Sequence, residues 1–231
     1  MIYAISDIHG CFAQYQAMLS QIEFKSTDTL YVLGDVIDRG PDGIKILQDM
    51  NLRPNVFPIL GNHEFFAAYC LPWLTREITD QSISELTDVQ FTALQEWIAN
   101  GGGPTLRSLR ELTWEEREDI LEYLQEMELY AEVEVGGRSF VLTHSALKHF
   151  APDKPLDAYE LQDFIFGRPE PDAVYYPDKI LVFGHTPTQF LGKPGRIFRS
   201  KTMIDIDCGC VFKGGQLGCL CLNTLEEFYE S

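Results

Sequence analysis

Five short apolar runs in this chain each end on residues capable of chemistry: "MIYAIS" runs into "DIHG", "TLYVL" into "GDVIDRG", "NVFPIL" into "GNHE", "SFVLT" into "HSA", and "KILVF" into "GHT". A single ending of this kind is an ordinary turn, because Gly and Asn form turns and His and Glu face water readily. Its recurrence describes strands that deliver Asp, His and Asn at their carboxyl ends. The stretches between the first three runs are amphipathic. In "CFAQYQAMLSQIEF", Phe12, Tyr15, Met18, Leu19 and Ile22 recur at helical spacing. "PDGIKILQDM" puts Pro41 at a predicted first turn and sends Ile44, Ile46 and Leu47 inward. Strand, helix, strand, helix, strand predicts an α/β fold with a parallel sheet.

Residues 65–130 change character. "TALQEWIANGGG" and "TWEEREDILEYLQEMEL" read as helices around a glycine-rich break, with Thr113 as an N-cap, so a helical insert over the sheet edge is expected. The last third returns to strands and closes with "MIDIDCGCVFKGGQLGCLCL", read as a hairpin turning at Gly214 and Gly215. Such a hairpin sets Cys208 opposite Cys221 and Cys210 opposite Cys219, all on one face. Packing of small buried hydrophobes explains these cysteines more simply than a zinc site or a disulfide. With 231 residues and 45% of them hydrophobic, one well-buried core and a single domain over 1–231 are expected.

Charge narrows the function. A formal net charge of -17 argues against nonspecific nucleic-acid or anionic-membrane binding. No run approaches the roughly 20 apolar residues of a membrane span. "MIYAISDIHG" lacks the basic start of a signal peptide, so a cytoplasmic protein is expected. The same charge opposes phosphate binding unless cations sit in the site. In open α/β sheets ligands bind beyond the carboxyl ends of the strands. Asp7, His9, Asp35, Asp38, Arg39, Asn62, His63, His144 and His185 are therefore expected to share one cleft. Asp, His and Asn donors without cysteine suit Mn, Fe or Zn. Two ions sharing a carboxylate would activate a water, and arginine forks would grip phosphoryl oxygens, which points to hydrolysis of a phosphate ester or anhydride.

The five motifs, with the closing "DCGC" and "GGQL", resemble the signature of the phosphoprotein phosphatase family of calcineurin-like metallophosphoesterases. The likeness is greatest to its small bacterial and phage serine/threonine phosphatases and to the related symmetrical dinucleoside tetraphosphatases. It implies a four-layer α/β/β/α sandwich of mixed sheets. It also implies two divalent ions, Mn favoured and Fe or Zn fitting the same donors, with Asp7 and His9 on the first ion and Asp35 bridging. Asn62, His144 and His185 would complete the ligand set of the second ion, with Asn62 also directed at the phosphate. His63 becomes the general acid, oriented by Asp38. A neighbouring carboxylate favours imidazolium and so keeps that proton available. Arg39 would clamp the phosphate, and Arg168 in "FIFGRPEP" resembles a second phosphate-binding arginine.

Glu64 and "NGGGPT" follow the family pattern without an assignable chemical role, and a supporting hydrogen-bond role is expected for Glu64. Because the chain keeps Asp38 and Glu64 and carries Arg168, the first expectation is a phosphatase acting on phosphoserine or phosphothreonine proteins. The alternative is a symmetrical dinucleoside tetraphosphate hydrolase or a broad small-molecule phosphatase. A non-catalytic metal-binding regulator is the remote reading, disfavoured because every expected position is filled. No partner surface is legible.

Overall fold

The computed structural model describes residues 1–74, 87–170 and 172–231. The first sheet contains β1 (Ile2–Ile5), β2 (Thr29–Val32), β3 (Val56–Pro58), β9 (Leu217–Cys221) and β10 (Glu227–Glu230), in the order β10-β9-β1-β2-β3. The second contains β4 (Tyr130–Val135), β5 (Arg138–Thr143), β6 (Lys179–Phe183), β7 (Phe198–Arg199) and β8 (Met203–Asp205), in the order β4-β5-β6-β8-β7. Both sheets are mixed: β1, β2 and β3 are parallel, as are β5, β6 and β8, with antiparallel partners outside them.

The two-residue period of the strands builds the layers. Ala4, Leu33, Phe140, Leu142, Val182 and Leu220 form a core from both sheets. Their neighbours in sequence point away from it. Tyr3 and Ile5 pack with α1 (Phe12–Gln21), α2 (Gly43–Asn51) and α3 (Asn62–Leu74). Val141 and Leu181 pack beneath a thin outer layer made of α7 (Leu161–Ile165) and the aromatics Tyr159, Tyr175 and Tyr176. The result is the expected helix, sheet, sheet, helix stacking. On α1 the predicted apolar face is buried through Tyr15, Met18, Leu19 and Ile22. α2 begins at Gly43 rather than at Pro41, which lies in the preceding turn.

The 65–130 segment, of which 75–86 lies outside the described residues, contains α4 (Asp88–Trp97), a π-helical turn over Ile98–Gly102, α5 (Gly103–Glu111) and α6 (Trp114–Gln125). Thr113 caps α6 as expected, accepting from the Glu116 N–H while the Glu116 side chain accepts from the Thr113 N–H. Trp97, Leu109, Ile120 and Leu124 join the core that also holds Ile44 and Ala67. The segment therefore packs on the helical layer, with α4 and α6 against α3 and with α5 and α6 against α2. Its tail reaches the edge of the first sheet, where the Leu60 N–H donates to the Glu128 carbonyl at 2.8 Å. Among the described residues no helix is long and apolar enough to cross a membrane.

The closing hairpin does not form. β8 pairs with β6 in one sheet, whereas β9 pairs with β1 and β10 in the other, so residues 206–216 cross between sheets. The reason is that the two arms are buried against different partners. Cys219 lies opposite Ile5 and Phe228, and Cys221 opposite Tyr3. Cys208 enters the core between the sheets. Cys219 and Cys221 share one face of β9 in the core beneath the helices, with Cys210 packed against that core, whereas Cys208 lies in the other core; all four are free, and core packing accounts for the buried ones. Cys219→Ser, which puts a hydroxyl into this apolar surrounding, is expected to lower the unfolding free energy by about 1–3 kcal/mol in urea titrations. An unchanged midpoint would show that the site is not dry core.

Candidate metal centre and phosphate site

The chain leaves its parallel strands through strained backbone. Asp7, His9, Asp35, Asp38, Arg39 and His185 have φ of 52°, 46°, 53°, 70°, 62° and 66°, the left-handed region. They are six of the nine non-glycine residues with positive φ among the described residues. Each such residue costs on the order of 1–3 kcal/mol and persists only where the surroundings over-determine it.

Much of that determination comes from Glu64, on the first turn of α3 and fully buried. Its Oε2 accepts from the N–H groups of Asp35 at 2.7 Å and Gly61 at 3.2 Å. Its Oε1 accepts from Val36 at 2.8 Å and Ile37 at 3.2 Å. Burial, with the charge of Asp35, pushes its pKa up to about 7. The carboxylate that sequence left without a chemical role ties the loop after β2 to the start of α3.

Around Asp35 the imidazoles are oriented from behind. His9 Nδ1 donates to the Ile37 carbonyl at 2.9 Å, and His144 Nδ1 donates to the Leu33 carbonyl at 2.7 Å. That fixes the tautomers and frees both Nε2 atoms for the cleft. Asp35 Oδ2 lies 3.6 Å from His9 Nε2 and 3.8 Å from His63 Nε2, while Oδ1 lies 3.4 Å from His144 Nε2. His144 Nε2 is also 3.0 Å from Asn62 Oδ1 and 3.2 Å from His185 Nδ1. Two donor groups result, His9–Asp35–His63 and Asp35–His144–His185, with Asp35 common to both. Burial lowers the pKa of both His9 and His185 to about 3, leaving neutral rings with lone pairs to offer. Burial opposes ionisation of Asp35, yet His144, His63, His9 and His185 outweigh it and hold that carboxyl far below the usual range. Asp7 is buried beside these groups, its Oδ2 accepting from Ser6 Oγ and from the His185 N–H at 2.9 Å.

His63 and Asp38 form the expected pair, with His63 Nδ1 donating to Asp38 Oδ2 at 2.6 Å. The rest of the Asp38 shell comes from far along the chain. Trp97 Nε1 donates to Oδ2 at 2.7 Å, and the Thr105 hydroxyl donates to Oδ1 at 2.5 Å while accepting from the Asp38 N–H at 3.0 Å. Burial lowers the His63 pKa, but Asp35 and Asp38 outweigh it and push it to about 9. Between Trp97 and Thr105 runs the glycine-rich element. The Gly101 carbonyl accepts from the Arg39 N–H at 2.9 Å, and at φ 111° a Cβ on Gly101 would stand 2.7 Å from Arg39 Cγ. Only glycine fits against the arginine there.

Arg39 is exposed at the cleft, its Nη1 on His9 Nε2 and its Nη2 3.1 Å from His63 Nε2. Arg168 is exposed as well and near enough that its charge helps to depress His185. The stitch that brings it there is Ser145, whose Oγ accepts from the Gly167 N–H at 2.8 Å and donates to the Phe164 carbonyl at 2.7 Å. Asp7, His9, Asp35, Asp38, Arg39, Asn62, His63, His144 and His185 thus come together, with Arg168 on the loop that follows Gly167. Sequence missed Trp97, Thr105, Gly101 and Asp207. Asp207 is 2% exposed beyond β8, and it follows "MIDI" as Asp7 follows "MIYAIS", so the same strand-end rule could have found it. Gly101 and Thr105 lie in the "NGGGPT" stretch, to which sequence assigns no role, and no pattern in sequence signals Trp97.

The donor set fits divalent ions: convergent neutral imidazoles, a shared ionised carboxylate and an amide oxygen, with no thiolate. Glu64→Gln, which cannot accept from all four N–H groups, is expected to lower unfolding free energy by about 1–3 kcal/mol. Urea unfolding measures this, and a wild-type midpoint would mean that the carboxylate does not hold the loop.

The calcineurin-like phosphoesterase family pattern matches residues 1–189. Among curated relatives, the symmetrical bis(5'-nucleosyl)-tetraphosphatase of Wigglesworthia glossinidia brevipalpis is 45% identical over 64 residues, 27% of this chain and 24% of that one. That of Acidovorax sp. (strain JS42) is 30% identical over 151 residues, 63% of this chain and 44% of that one. The chain thus spans less than half the length of these relatives. Among solved structures, that of a candidate diadenosine tetraphosphatase superposes with TM-score 0.66 at 20% identity, covering 99% of this chain and 91% of that one. A protein serine/threonine phosphatase from Saccharomyces cerevisiae gives 0.58 at 12% identity, covering 99% and 78%. Both show a shared fold. Since the family pattern runs through all five strand-end motifs, the chain belongs to the calcineurin-like phosphoesterases.

Proposed function

We propose that this chain hydrolyses symmetrical dinucleoside tetraphosphates, adding one water across the central phosphoanhydride to release two nucleoside diphosphates. The observation that carries the substrate is the similarity to relatives named symmetrical bis(5'-nucleosyl)-tetraphosphatases. The grounds for expecting a phosphoprotein phosphatase first weaken on the geometry of Glu64. Buried and committed to backbone N–H groups, it braces a loop and so says little about substrate.

Asp7, His9 and Asp35 would hold one ion and Asp35, Asn62, His144 and His185 the other, and the oxygen-rich set favours Mn. Ions bound there supply Lewis acidity and an activated water. The protein's own groups do the rest. Arg39 and Arg168 present forked donors that bind and orient phosphoryl oxygens. His63 Nε2 carries the proton for the departing oxygen, while Asp38, fixed by Trp97 and Thr105, keeps the ring in place through Nδ1.

The His63–Asp38 pair also supports a second reading, hydrolysis of phosphoserine or phosphothreonine, because an alkoxide leaving group needs a proton more than a nucleoside diphosphate does. Two outcomes follow. Mn-loaded protein given equal diadenosine tetraphosphate and phosphothreonine peptide should release ADP preferentially by chromatography; dephosphorylated peptide with the dinucleotide untouched would replace this reading by the second. His63→Asn should keep its metal content and lose about 10²–10⁴ in kcat on an alkyl phosphate, with a smaller loss on the anhydride. Loss of metal instead would make His63 a ligand.

A further inference from the structure

Resting on the dinucleoside reading above, we propose that Phe212 is the stacking platform for a nucleobase, and that it sets selectivity for nucleotides over simple phosphomonoesters. Phe212 lies on the crossover between β8 and β9, the segment that begins at Asp207 beside the metal-site residues. Its ring is 46% exposed, and the Arg39 guanidinium carbon stands 5.5 Å from the ring centroid. Among the described residues, this is the one cation–π pair that involves a site arginine. A substrate phosphate gripped by Arg39 therefore has an open aromatic surface next to it.

The ring is held in readiness. Asp207 Oδ1 accepts from the Gly209 N–H at 2.9 Å, and the Phe212 N–H donates to the Gly209 carbonyl at 2.9 Å. The Phe212 carbonyl in turn accepts from Gly215 at 2.9 Å, and Gln216 donates to the Cys208 carbonyl at 3.2 Å. A loop closed on itself in this way orders little on binding, so stacking is not offset by lost chain entropy. A cavity of about 110 Å³ separates this loop from Pro187 and Gln189, which follow His185, so the platform stands where the two site loops approach each other.

Charge gives the platform its value. With a net charge of -17 the protein repels a polyphosphate at long range, and only local cations bind it. A neutral base on an aromatic face adds affinity that does not depend on charge, worth about 1–3 kcal/mol per stacked base. That energy is available to a dinucleotide and absent from a small phosphomonoester.

The test compares kcat/KM for diadenosine tetraphosphate with kcat/KM for p-nitrophenyl phosphate in Mn-loaded full-length protein. Phe212→Ala should lower the ratio roughly 5- to 150-fold, chiefly through KM for the dinucleotide. Phe212→Trp should keep or raise the ratio, and Phe212→Leu should not restore it. An unchanged ratio in Phe212→Ala, with the dinucleotide still hydrolysed, overturns the platform and leaves the proposed function standing. Full restoration by Leu also overturns it, because bulk that positions Arg39 would then suffice. Failure of wild type to hydrolyse the dinucleotide while it hydrolyses p-nitrophenyl phosphate overturns both. Should Phe212→Ala not fold, the Trp variant decides, and a fall in its ratio counts against stacking.

Discussion

Four carboxylates, Asp7, Asp35, Asp205 and Asp207, are no more than 3% exposed where the ends of the two sheets meet, and the structure of this region follows from that burial. Carboxylates removed from water must find cations, donors or protons. Asp35 finds imidazoles and stays ionised. Burial drives Asp7 and Asp205 above the usual carboxylate range and Asp207 to about 7. Among the described residues, Asp205 Oδ2 has no hydrogen-bond partner. Such an arrangement suits a site designed around positive charge, and it explains how so acidic a protein belongs to a family whose substrates are anions.

Holding these groups requires loops that the backbone resists. Six left-handed residues in one cleft form a strained assembly, and the strain is opposed by partners from across the chain. Glu64 gathers the loop after β2, the Leu33 carbonyl orients His144, and Ser145 anchors the turn before Arg168. The helical segment contributes most directly. Through Trp97, Gly101 and Thr105 it fixes Asp38 and the backbone of Arg39, so its place is behind the proposed acid and phosphate clamp.

Local pattern made much of this legible. Strand ends announced Asp7, Asp35, Asn62, His144 and His185 because a strand's carboxyl end is a local property, and α1 followed from spacing alone. Tertiary choices were not legible in the same way. β8 and β9 carry apolar and glycine signals that suit a hairpin, and only competition for β1 and β6 sends them into different sheets. Trp97 sits in a stretch that reads as a helix and Thr105 in "NGGGPT", a stretch without an assignable role, because their partner Asp38 is 59 and 67 positions away. Asp207 obeys the strand-end rule, following the apolar run of β8 within a cysteine-rich stretch.

The substrate question has the same physical form. Glu64 and Asp38, the motif residues on which the expectation of a phosphoprotein substrate rested, are buried and spend their oxygens on the protein itself, on backbone N–H groups, His63, Trp97 and Thr105. A residue with no free face toward solvent can tune the reacting groups but cannot recognise what a phosphate is attached to. Recognition must come from exposed groups at the rim, and Arg39, Arg168 and Phe212, the proposed phosphate grips and base platform, are exposed groups of that kind.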